Sequence, residues 1–108
     1  MIDEANKHVV VFVMAPVDQA PDLARAIVSA RLAACVNVVG GVRSIYTWKG
    51  EVCDDAEALM VAKTRAELFE ALWQKIVELH PYEVPEVIAL PIAAGHAPYL
   101  AWLEESTR

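Results

Sequence analysis

The sequence predicts an α+β domain, a βαββαβ sandwich closed by a short C-terminal helix. Three observations carry this expectation: an unbroken apolar run from 9 to 15, a long strand–turn–strand stretch from 35 to 63, and two amphipathic helical stretches, one after the first strand and one after the third. With 108 residues there is room for one core, so a single domain is expected over 1–108.

A strand apolar at every position, as "VVVFVMA" (9–15) is, needs cover on both faces and therefore belongs inside its sheet. In "APDLARAIVSARLA" Pro21 suits a first helical turn, and Leu23, Ala24, Ile27 and Val28 recur at the spacing of one stripe, with Arg25 and Ser29 outward. "CVNVVGGVRSIYTW" (35–48) is rich in β-branched and aromatic residues and is interrupted by Gly40-Gly41, the mark of a bulge. Lys49-Gly50 then reverses the chain into "EVCDDAEALMVAK". In a hairpin folded there, facing residue numbers sum to about 99 near the turn, which sets Cys53 opposite Tyr46. One extra residue at the glycines drops the sum beyond them to about 98, which sets Cys35 opposite Lys63. The two cysteines are then too far apart to pair.

Thr64 and Glu67 have the spacing of a capping box before Leu68, Phe69, Leu72, Trp73, Ile76 and Leu79, and Pro81 ends that helix at His80. "VPEVIALPI" (84–92) reads as a strand that Pro85 and Pro91 confine to an edge. Pro98 opens a last helix with Tyr99, Trp102 and Leu103 on one side. Two main helices cover one face of such a sheet and leave the other bare, so a homo-oligomer is expected to cover it.

Composition narrows the function. Hydrophobic residues make up 56% of the chain, an excess expected in subunit contacts, and no apolar run approaches the ~18 residues of a membrane span. A net charge of −6 with no Lys/Arg cluster argues against nucleic acid as a partner. Asp3 and Glu4 stand where a signal peptide needs basic residues, and two unpaired cysteines suit a reducing compartment, so a cytoplasmic protein is expected.

"RLAACVNVVGGVRSIYTWKGEV" (31–52), "VAKTR" (61–65) and "LHPYEVPEVIALPI" followed by "YLAWL" (79–103) together resemble the CutA family of divalent-cation tolerance proteins over nearly the whole chain. The resemblance implies a ferredoxin-like fold, a tight homotrimer joined by strands of neighbouring subunits, an architecture like that of the trimeric PII signalling proteins, and a link to copper and other divalent cations. It implies no agreed reaction. Copper ligands assigned among relatives are a cysteine shortly before the "AP" that ends the first strand and two histidines before "PY"; this chain has Val13 and Leu79-His80 there, so His80 alone remains.

His80 is thus either a weak metal ligand or a helix-end histidine bonding the last carbonyls of its helix, whose dipole would favour an imidazolium. Cys35 is either a thiolate favoured by Lys63 or a small buried side chain, with Lys63 paired to a carboxylate such as Glu86. Tyr46, Trp48 and Tyr82 suit a small-molecule pocket or a subunit interface, with Glu86 turned into a shared cleft and Glu83 solvated. Cys53, Asp55 and Glu57 share a strand face that is either a ligand set or a solvated surface. No nucleophile–base–orienter set stands out. The expected function is therefore a trimeric, non-enzymatic binding or signalling protein linked to metal tolerance. It requires no cofactor, and any Cu²⁺ or other divalent cation binds weakly. A small-molecule enzyme with a Cys35/Lys63/His80/Glu86 cleft at the subunit interface, or a stable trimeric scaffold for a partner protein, is the alternative.

Overall fold

In the computed structural model, which describes residues 7–108, four strands form one antiparallel sheet: β1 (His8–Ala15), β2 (Cys35–Trp48), β3 (Glu51–Arg65) and β4 (Val87–Pro91), in the order β2-β3-β1-β4. The helices are α1 (Ala20–Ser29), α2 (Phe69–Leu79) and α3 (Ala97–Glu105). The expectation built on Asp3 and Glu4 lies outside the described residues. As its composition requires, β1 lies between two strands, and the proline-flanked β4 is an edge, shorter than the predicted 84–92.

Val9, Val11, Val13 and Ala15 of β1 and Ala58, Met60 and Ala62 of β3 meet Leu23, Ile27, Leu72 and Ile76 in one core between the sheet and α1 and α2. The helical stripes are narrower than predicted: Val28, Trp73 and Leu79 are exposed. Periodicity fixes the direction of an apolar face but not how far round the helix the neighbouring sheet reaches.

The capping-box expectation fails. Pairing of Val9 with Thr64 and His8 with Arg65 carries β3 through Arg65, a 3₁₀ turn over Ala66–Leu68 comes before α2, and no side chain caps the start of either. Thr64 is fully buried, and its hydroxyl donates to the Leu32 carbonyl at 2.6 Å. A buried carbonyl without a donor would cost about 1–3 kcal/mol, so the strand holds the threonine.

The hairpin register is the predicted one: Tyr46 faces Cys53, Cys35 faces Lys63, and the register shifts between Val39 and Val42, where Gly41 takes a φ of 76°. The bulge changes which β2 residues share a face. Cys35, Asn37 and Val39 before it, and Val42, Ser44 and Tyr46 after it, all lie on the face away from α1 and α2. Beyond Ala58 β1 gives no support, so residues 42–57 form a projecting two-stranded ribbon on a molecule 43 × 28 × 23 Å in extent. Its turn places Lys49 at φ 52° and Gly50 at φ 82°. Because the left-handed region costs a lysine about 1–2 kcal/mol, Lys49→Asn is expected to raise the denaturant midpoint, by up to about 1 kcal/mol in stability. A fall would mean that the Lys49 ammonium, 5.7 Å from the Trp48 ring centroid, outweighs the strain.

The face away from α1 and α2 is apolar. Phe12, Leu59 and Val61 are half-buried, and Val39, Ile88 and Leu90 are exposed. At one end α3 covers it, with Leu103 fully buried. Tyr99 and Trp102 stay partly exposed and lie 5.5 Å apart, ring to ring. His8 meets Glu104 at 2.8 Å, Arg65 donates to the Thr107 hydroxyl at 2.8 Å, and Arg31 donates to the Glu105 carbonyl at 2.7 Å. Over the remaining strip no segment among the described residues folds back, as the count of helices predicts.

Candidate functional site

Where the ribbon leaves the sheet, a cavity of about 670 Å³ opens between β2, β3 and the loop that joins α2 to β4. That size lies within the ~300–1,000 Å³ usual for small-molecule sites. β2 contributes Val42, Ser44, Tyr46 and Trp48, the alternate residues that the bulge aims this way. β3 contributes Asp55 and Glu57, Met14 forms the floor from β1, and the loop adds Tyr82, Glu83, Val84 and Glu86.

Two phenol–carboxylate pairs organise the wall. Tyr82 donates its hydroxyl to Glu57 Oε2 at 2.7 Å, and Tyr46 donates to Asp55 Oδ2. The bond to Asp55, ahead of burial, pushes the Tyr46 phenol up to about 12. Burial, and then the bond to Glu57, holds Tyr82 above the ordinary phenol range. Glu57 is 5% exposed, so the segment expected to be solvated turns one carboxylate inward. Asp54, on the opposite face, pairs with Arg43 at 2.7 Å.

Tyr46, Trp48, Tyr82 and Glu86 therefore line one cavity, and Glu83, expected to be solvated, joins them while remaining exposed. Cys35 and Lys63 lie elsewhere. They face each other as predicted, yet the Lys63 ammonium donates to Asn37 Oδ1, and the Cys35 thiol lies 3.9 Å from the same oxygen. The proposed Lys63–Glu86 pair is absent. Lys63 faces Val10, which faces Leu90 two strands over, and Glu86 lies four residues before Leu90, just ahead of β4, so it is offset from Lys63 by about 13 Å along the strands and roughly 10 Å across them. Burial, and then the nearby Cys35, raises the Tyr99 phenol above its ordinary value.

His80 takes the extended ψ of 139° that a following proline imposes, and its backbone N–H, not its ring, closes α2 on the Ile76 carbonyl. The ring reaches across to β1. The Tyr82 N–H, which can only donate, meets Nδ1 at 3.1 Å; the proton therefore sits on Nε2, which donates to the Met14 carbonyl at 2.8 Å. The ring is 4.7 Å from that of Tyr82 and is 7% exposed as a residue. The expected imidazolium capping its own helix is thus replaced by a single-proton ring that ties the loop to β1.

Copper does not fit His80, because both ring nitrogens are already engaged and a ligand nitrogen must offer a free lone pair. Val13, in the position of the relatives' cysteine, is fully buried in the core. The strand set fares no better: the Cys53 thiol points to the Glu51 carbonyl, Asp55 and Glu57 hold the two phenols, and no three His, Cys, Asp or Glu among the described residues are grouped to hold a metal. Both cysteines are free.

Asp55, Glu57, Ser44 and Val42 were not recognised together as cleft residues. Their signal was present in the same facing sum that located Cys53, which pairs Ser44 with Asp55 and Val42 with Glu57. What one strand pair could not show is that Tyr82, 25 residues from Glu57, closes over them.

The family model described as CutA1 divalent ion tolerance protein matches residues 8–106. The chain is 50% identical over 99 residues to the divalent-cation tolerance protein CutA of Thermus thermophilus, covering 91% of this chain and 96% of the relative. It is 48% identical over 97 residues to human protein CutA, covering 89% of this chain and 54% of that longer relative. The chain thus spans about half the length of several plant and vertebrate relatives. Among solved structures, CutA1 from Oryza sativa superposes with a TM-score of 0.92 at 48% identity, covering 94% of each chain. The PII-like protein CutA from Nostoc gives 0.88 at 35% identity, covering 93% of this chain and 97% of that one. No helix among the described residues is long and apolar enough to cross a membrane, and relatives are named chloroplastic or periplasmic. From family model, sequence identity and fold alike, the chain belongs to the CutA1 divalent ion tolerance family.

Proposed function

We propose that this chain is a non-enzymatic, cytoplasmic homotrimer of PII-like architecture that binds a small effector in the ribbon cleft and couples it to divalent-cation tolerance. The observation that carries this is the aromatic and carboxylate-lined cavity of about 670 Å³, which contains neither cysteine and no free imidazole. A neighbouring subunit completes the cleft, because Ile45 and Val84 on its rim are 65% and 67% exposed in the single chain. No resident cofactor is required, and Cu²⁺ or another divalent cation binds weakly, on carboxylates rather than on His80.

A thermal-shift screen of the intact protein against a metabolite and metal library tests this. Stabilising hits are expected that Trp48→Ala weakens about tenfold or more and Trp73→Phe leaves unchanged, since Trp48 lines the cleft and Trp73 lies on α2 outside it. Silence across the library would remove the binding module, and turnover of a library member would make the protein an enzyme. The Cys35/Lys63/His80/Glu86 enzyme has little support within one chain, where these groups fall into separate places.

A further inference from the structure

We infer that the ribbon cleft takes a small organic ammonium that bears N–H donors and an apolar body. This rests on the cleft being the ligand site proposed above. The lining is acceptor-rich and anionic: Asp55, Glu57, Glu83 and Glu86 face one cationic side chain, Lys49. The phenols do not offset this, because Tyr46 and Tyr82 already spend their protons on Asp55 and Glu57 and present only oxygen lone pairs. An ionised carboxylate has about four acceptor positions, and one phenol fills one of them, so the buried Glu57 retains capacity on the cavity wall.

An anion would meet repulsion on this wall, and a neutral acceptor would leave the carboxylates unpaired. A bare divalent metal lacks a cage, since no three potential ligands among the described residues are grouped to hold one. An organic ammonium satisfies both halves of the lining, with N–H groups on carboxylate and phenol oxygens and its body on aromatic surface. The protein already displays half of this contact: the Lys49 ammonium, on the cavity rim, lies 5.7 Å from the Trp48 ring centroid. A ligand cation would displace that tethered one or sit beside it.

Three probes with one phenyl body and different charge decide the matter: phenethylamine, phenethyl alcohol and phenylacetate, titrated calorimetrically into the intact oligomer at neutral pH. Phenethylamine is expected to bind at least about tenfold tighter than the alcohol, with the gap shrinking as salt rises, and phenylacetate is expected not to bind. Glu57→Gln keeps the shape and can still accept the Tyr82 hydroxyl, and it should reduce the preference for the amine about tenfold. Asp55→Asn, on the exposed ribbon, supplies the same readout should the buried substitution unfold the chain. Equal or tighter binding of alcohol or phenylacetate would overturn the ammonium assignment and leave the cleft a ligand site. Amine binding indifferent to Trp48→Ala and to both carboxylate variants would place the site elsewhere, and binding of none of the three would remove the ammonium assignment while library hits sensitive to Trp48 would still keep the cleft.

Discussion

Ile88→Asp is expected to turn the assembled protein into a folded monomer. Ile88 sits on β4 opposite Phe12, on the sheet face away from α1 and α2, and is 50% exposed in the single chain. A carboxylate there stays in water in an isolated subunit, so the monomer fold tolerates it. In a trimer packed through this face the same group is desolvated among Phe12, Leu90 and their symmetry mates, and an unpaired buried charge costs several kcal/mol per ion. At ~1.4 kcal/mol for each tenfold, even about 3 kcal/mol per subunit weakens each contact more than a hundredfold. Sedimentation at micromolar concentration should give one third of the wild-type mass, with helix and strand signals in circular dichroism retained. An unchanged mass would mean that the apolar face is covered some other way and that the ribbon or the β2 edge joins the subunits alone.

The ribbon supports the same conclusion from another direction. An isolated two-stranded hairpin is marginal in water, yet residues 42–57 extend past the last residue of β1 with Ile45 and Val52 exposed. A neighbour that pairs with the β2 edge or packs on these side chains would stabilise it.

How much of this was legible in the sequence depended on whether the controlling interaction was local. The facing of Tyr46 with Cys53 and of Cys35 with Lys63 follows from a two-residue turn and one bulge, because strand pairing is arithmetic once both are located. The central place of β1 and the edge place of β4 follow from apolar continuity and from proline, which report burial and missing donors directly. The start of α2 departs from the capping-box expectation because Thr64 has two uses for its hydroxyl, a local cap or the distant Leu32 carbonyl 32 residues away, and the buried acceptor wins. The alternative in which Lys63 pairs with a carboxylate such as Glu86 fails for a related reason: the side-chain oxygen of Asn37 lies nearer on the same face. Trp73 and Leu79 have helical spacing that suggests core, and only the extent of the sheet beneath them decides that they stay outside.

His80 carries the other large expected effect, and it is one of stability rather than of metal affinity. Its ring satisfies the Met14 carbonyl and the Tyr82 N–H at once, at the point where the α2–β4 loop meets β1. Alanine would leave the carbonyl without a donor, at about 1–3 kcal/mol, and would add a cavity where the buried ring had been, for a combined loss of about 2–4 kcal/mol. Against a typical total of ~5–15 kcal/mol that is a large fraction, visible as a lower denaturant midpoint. The two halves of the contact can be separated. A glutamine amide reaches roughly where Nε2 lies and can donate to Met14, whereas an asparagine oxygen lies near Nδ1 and can accept from Tyr82. His80→Gln should therefore recover more stability than His80→Asn, because the backbone of the exposed Tyr82 can turn to water and the Met14 carbonyl beneath the ring cannot. The same substitutions should loosen the Tyr82 hydroxyl on Glu57 and so weaken effector binding in the cleft. Cu²⁺ should shift the midpoint of wild type and His80→Gln equally, since neither ring nitrogen is free to bind it. A copper-dependent rise seen in wild type and lost in both variants would instead place the metal on His80 and require the ring to leave Met14.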